Sequence, residues 1–163
     1  MARFRKTSTK VGMNAKISSV NLQSIPTAGL VIGEGQPVMF GPSDGYAAAG
    51  TAGSPVYVNF VDSARSDVMS VQGDPFQDDL DERNTESGTL TGIRGNGVDI
   101  GLPADSWDGG VLPAIGEAVT IANDKFKGEA IVAGSRYYGI VERVSAGKAF
   151  FCFSTVPSVL SIA

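Results

Sequence analysis

GEAVTIANDKFKGEAIVAGSRYYGIVERVSAGKAFFCFST, residues 116–155, alternates short apolar runs with polar, glycine-bearing breaks. The runs fall at 118–122, 129–133, 137–144 and 149–155. Each has the length of a strand, is rich in Val, Ile, Tyr or Phe, and is bounded by Gly, Asn, Asp or Ser. The breaks Ala122-Asn123-Asp124-Lys125 and Ser145-Ala146-Gly147-Lys148 are hairpin-sized, and Gly147 can take the positive φ of a tight turn. The stretch predicts an antiparallel meander that forms a small barrel or a sandwich. Adjacent Tyr137 and Tyr138 should point to opposite faces, one into the core and one to the surface. Cys152, inside Phe150-Phe151-Cys152-Phe153, reads as a small buried thiol.

Upstream the same grammar continues. Residues 55–60 (PVYVNF) predict a strand with Val56, Val58 and Phe60 on one face and Tyr57 and Asn59 on the other. Short strands are expected at 30–32 and 37–40, and another at 67–72. Residues 41–54 (GPSDGYAAAGTAGS) are too glycine-rich for a helix and read as an exposed loop. Residues 89–93 and 97–100 flank Arg94-Gly95-Asn96 and predict a hairpin. Residues 101–113 read as a loop carrying the single tryptophan, Trp107. After Val156-Pro157, residues 159–162 predict an edge strand or a docking tail.

A chain of 163 residues fits one domain of about 100–150 residues plus an appendage. The expected division is an extended basic arm over 1–22 and a single all-β domain over 23–163. Net charge is −4, but Arg3, Arg5, Lys6, Lys10 and Lys16 give the first sixteen residues +5, leaving −9 for the rest. Such an arm suits an acidic protein surface, a second copy of the chain included; a simply solvated segment and a nucleic-acid contact are the alternatives, the last opposed by the acidity of the body. No run reaches the ~18 apolar residues of a membrane helix, and the N-terminus lacks the apolar core of a signal peptide. The expectation is a protein made in the cytoplasm with no membrane partner. One cysteine permits no intrachain disulfide.

Histidine is absent, which removes Ser-His-Asp and Cys-His nucleophile systems together with the commonest metal ligand. The acidic stretch 73–87 misses the calcium-loop pattern, with Phe76 at the third position and Asp79 at the sixth, counting from Asp74. It reads as a solvated loop or protein contact. Residues 92–101 have the glycine density of a phosphate loop but neither its lysine nor a following helix. No catalytic, cofactor-binding or metal-binding residue is predicted.

The meander at 116–154 and the small-residue loop AAAGTAGSP at 47–55 resemble those of bacteriophage capsid decoration, or cement, proteins. The arm over 1–22 is similar to the extended arms by which such proteins reach across capsomers. The resemblance implies a non-enzymatic virion protein on the capsid surface that binds the major capsid protein as a dimer or trimer. Two other functions stay open: a tail, connector or adhesion module, and a nucleic-acid-binding β-barrel using the arm. The contact residues expected are Arg3, Arg5, Lys6, Lys10 and Lys16 for charge, Phe4 as apolar anchor, and Trp107 either as a further anchor or as core.

Overall fold

The computed structural model describes residues 12–13, 21–28, 30, 32–60 and 89–160, with only the backbone at 12, 13 and 21. The fold is all-β, antiparallel and sandwich-like rather than a closed barrel. Its strands are β1 (Gly12–Met13), β2 (Asn21–Pro26), β3 (Pro37–Phe40), β4 (Ala47–Ala49), β5 (Tyr57–Asn59), β6 (Thr89–Arg94), β7 (Asn96–Pro103), β8 (Ala118–Ala122), β9 (Lys125–Glu129), β10 (Arg136–Tyr137), β11 (Val141–Ser145), β12 (Lys148–Ser154) and β13 (Ser158–Val159). One sheet has the order β2-β6-β5-β3-β4 and the other β1-β7-β12-β11, with two-stranded ribbons β8-β9 and β10-β13.

Alternation along the strands builds the core. On β12, Ala149, Phe151 and Phe153 are buried, while Lys148, Phe150, Cys152 and Ser154 lie on the outer face. Strand periodicity therefore puts Cys152 outside, half-buried, and not in the core as expected for a small thiol. Val56, Val58 and Phe60 are buried together as predicted. The main core joins these residues to Ile93, Ile100, Leu102, Trp107, Phe126, Tyr138 and Phe151. A smaller cluster of Ile25, Ile32, Val38 and Leu90 covers the opposite face of the five-stranded sheet.

Two of the predicted turns are realised as two-residue loops with both central residues at positive φ. Asn123 (48°) and Asp124 (61°) join β8 to β9, and Ala146 (52°) and Gly147 (73°) join β11 to β12. This twist matches that of the strands they connect. The second run of the meander is β9 at 125–129, not 129–133, because the two-residue turn starts the return strand at Lys125 at once. The third run is split: the chain leaves β10 after Tyr137, and Tyr138 to Val141 cross to β8 and then enter β11. Tyr138 N donates to Val119 O and Val119 N to Gly139 O, both at 2.9 Å.

The hairpin expected at 94–96 does not form. β6 pairs with β2 and β5, whereas β7 pairs with β1 and β12 in the other sheet. The chain turns the corner between sheets at Gly95, where an added Cβ would lie 2.3 Å from Val98 Cγ2. Gly95 O accepts from Thr155 N at 2.8 Å, and Gly95 N donates to Thr155 Oγ1 at 3.0 Å. Corner glycines of this kind let a strand change sheets.

Three smaller differences follow from pairing. The loop predicted over 41–54 contains β4, because Ala47, Ala48 and Ala49 find partners in Phe40, Met39 and Val38. Leu30 and Ile32 lie outside any strand, and Ile32 is buried with its carbonyl accepting from Asn59 Nδ2 at 3.0 Å. β2 begins at Asn21, so residues 21 and 22 belong to the sheet and not to the arm. The strand expected at 67–72 and the acidic loop at 73–87 fall outside the described residues.

Candidate interaction surface

Of the predicted contact residues, Arg3, Phe4, Arg5, Lys6, Lys10 and Lys16 lie outside the described residues. The arm is represented by Gly12 and Met13, whose backbone pairs with Gly101 and Ile100 on the open side of β7. Trp107 is core. It is 1% exposed, its indole Nε1 donates to Leu102 O at 3.1 Å, and its ring meets Phe151 edge-on at 5.6 Å. A 3-10 turn at Ala104–Ser106 carries it inward, and an isolated bridge to Phe126 fixes it there. Of the two roles considered for Trp107, packing is the one it has.

Tyr137 and Tyr138 do point in different directions, yet both are buried. Tyr137 sits beneath the 130–135 loop, where its hydroxyl accepts from Val132 N at 2.9 Å. Tyr138 enters the main core, and its hydroxyl lies 2.7 Å from Ser54 O and 3.0 Å from Thr51 O. Burial pushes the Tyr138 phenol up to about 12, an effect held back by hydrogen bonds to the backbone at Gly53 and Ser54. It is a neutral tether for the 51–54 loop.

The outer face of the four-stranded sheet carries Asp99, Arg143, Phe150 and Cys152. The Arg143 guanidinium stacks 3.8 Å over the Phe150 ring and reaches Asp99 Oδ2 at 3.2 Å. Burial, followed by the nearby Glu142 and Asp99 carboxylates, raises the Cys152 thiol pKa and suppresses its thiolate. Among the described residues, no group of three or more Cys, Asp or Glu is placed to hold a metal ion, and no helix is long and apolar enough to cross a membrane.

What stands out at the surface is apolar. Val111 and Ile115 are 70% and 66% exposed on the loop between the second 3-10 turn, Asp108–Gly110, and β8. That loop is braced at several points. Ala114 N donates to Glu117 Oε2 at 2.9 Å, and Gly116 N donates to Val141 O at 2.8 Å. Pro113 is buried against Gly128, where a Cβ would come within 2.3 Å of the ring. Two β-branched side chains are thus held toward solvent on a fixed backbone. Val132, Val156 and Val159 are also more than half exposed, near the β10–β13 ribbon. Neither charge nor aromatic content marks these positions in the sequence; the apolar run Val111-Leu112-Pro113-Ala114-Ile115 between Gly110 and Gly116 is the signal it carries for them.

Among the described residues, the arrangement offers contact area and hydrogen-bonding edges. Compared with protein-family models, curated proteins and solved structures, the chain gives no significant match.

Proposed function

We propose that this chain is a non-enzymatic structural protein of a bacteriophage particle, which binds the major capsid protein at the outer surface of the head and stabilises the shell. The observation that carries the reading is the braced apolar loop, with Val111 and Ile115 displayed to solvent on a backbone already fixed. Preordered apolar side chains bind without the ordering cost that a mobile segment meets, about 1–2 kcal/mol per residue. The basic arm adds a charge-assisted reach to an otherwise acidic body. Repetition of such contacts over a lattice multiplies weak binding.

Electron microscopy of native particles tests the reading: density spread over the shell lattice supports it, and density confined to the tail replaces it with the tail or connector function. Deleting residues 1–16 should abolish co-sedimentation with particles while leaving the β-fold intact, since among the described residues only the two-residue strand β1 is lost from the sheet. Full binding by the truncated protein would remove the arm from the interface. V111D/I115D should weaken particle binding without changing the melting curve, because both side chains already face water.

A further inference from the structure

Among the described strands of three residues or more at the edges of the two larger sheets, β4 alone carries neither a charge nor a proline. β2 ends on Pro26, which lacks an N–H. β9 carries Lys125, Lys127 and Glu129, and β11 carries Glu142 and Arg143. Edge charges and prolines discourage pairing with another chain, because a docking strand would bury a charge or miss a donor. β4 is Ala47-Ala48-Ala49, and no charged residue occurs from Gly45 to Val61.

Hydrogen-bond parity tells which backbone groups face outward. Gly50 N donates to Pro37 O at 3.0 Å and Gly41 N donates to Tyr46 O, which makes 37/50 and 41/46 hydrogen-bonded pairs of the β3–β4 ladder. Such pairs alternate along an antiparallel ladder, so 39/48 is one as well. The N–H and C=O of Ala48 therefore face β3. Those of Ala47 and Ala49 face away from the sheet.

We infer that this edge is a homodimer surface: β4 pairs antiparallel with β4 of a second copy about a two-fold axis at Ala48. In that register Ala47 of each copy faces Ala49 of the other, and the outward donors and acceptors of the two strands meet in four hydrogen bonds. A second copy fits this edge: a strand related to itself by a two-fold at its central residue sets each outward donor opposite an acceptor, the geometry of an isologous contact. Charge points the same way. Two chains of net charge −4 repel over most of their surfaces, but the uncharged run 45–61 places no like charges across this axis. The alanine methyls also allow the two backbones to reach sheet spacing. Phe40 and Tyr46, 39% and 45% exposed beside the edge, would lose water contact as the two five-stranded sheets become one of ten strands.

The inference is independent of the proposed function and does not depend on a shell. Its test is disulfide trapping in the full-length protein carrying C152S. Residues facing each other in a non-hydrogen-bonded pair have Cα atoms about 4.5 Å apart, within reach of a disulfide. A48C should form covalent dimers under mild oxidation. A47C and A49C should not, since each lies beyond the ~7 Å limit from its own copy across the axis. A49P removes an outward N–H and no β3–β4 bond, so adding it to A48C should abolish trapping while circular dichroism and Trp107 emission stay unchanged. Where A49P unsettles the fold, A49K makes the same test through charge. Equal trapping at all three positions, no trapping at A48C, or trapping indifferent to both A49P and A49K overturns the proposal. Particle co-sedimentation is read separately: trapped dimers that ignore particles sink the shell reading alone, and particle binding without A48C trapping sinks this one alone.

Discussion

The two faces of the five-stranded sheet are sealed by cores of different character. Against the inner face, Phe126 meets Trp107, Tyr138, Phe151 and Phe153 at ring separations of 5.5–6.4 Å, those to Tyr138 and Phe153 edge-on. On the other face lie four aliphatic side chains, Ile25, Ile32, Val38 and Leu90, with Tyr57 partly covering them. Edge-to-face aromatic contacts have preferred angles, whereas aliphatic contacts are nearly indifferent to direction. The inner core thus sets how the strands of the two sheets are oriented, and the outer cluster mainly keeps water from one face of a sheet already in place.

The largest test of that contrast is a pair of truncations. F126A should cost about 3–5 kcal/mol and L90A about 2 kcal/mol, at the low end for aliphatic truncation, read from urea denaturation midpoints. Equal losses would mean that the aromatic cluster has no special standing. Next comes Y138F, which keeps the ring but leaves the Ser54 and Thr51 carbonyls without the hydroxyl, at a cost of about 1–2 kcal/mol. It also carries a pH signature. Unfolded tyrosine ionises near 10 and folded Tyr138 at about 12, so in that window the native state retains a proton that the unfolded chain has lost. The stabilisation from neutral Tyr138 is complete below 10 and declines as pH rises towards 12. Y138F should flatten that decline. The smallest effect is expected outside both cores: R143A breaks an exposed ion pair and a ring stack for about 0.5 kcal/mol. A loss as large as that of Y138F would promote the outer face to a third stabilising layer.

Strand existence was legible wherever a period of two met clear punctuation, as at Pro37–Phe40, Ala118–Ala122 and the burial alternation of β12. Pairing was not. The flanks of Gly95 carry the signature of a hairpin, but the choice between a tight turn and a sheet-to-sheet corner depends on Thr155, sixty residues downstream. β4 was hidden for a related reason: alanine has little preference for strands, and only the neighbouring β3 makes 47–49 one. Burial of Trp107 depends on a short 3-10 turn that no periodic pattern announces. Of the candidate contact surface, the apolar loop at 111–115 could be read in the chain. Its bracing by Glu117, Val141 and Gly128 could not, because those contacts are tertiary.

Thr155 has a consequence for how the molecule is made. It ties together segments that are distant in the chain: its carbonyl accepts from Val56 N at 3.0 Å while its own N–H and hydroxyl grip Gly95. On the ribosome, the strands up to β6 emerge long before the residue that latches them. The nascent chain must therefore wait, with the apolar side chains of β5 and β6 uncovered, until Thr155 has been synthesised. Closure over a separation of roughly a hundred residues is slow by topology alone. Synthesis conditions that shelter the unfinished chain should consequently raise the yield of native protein.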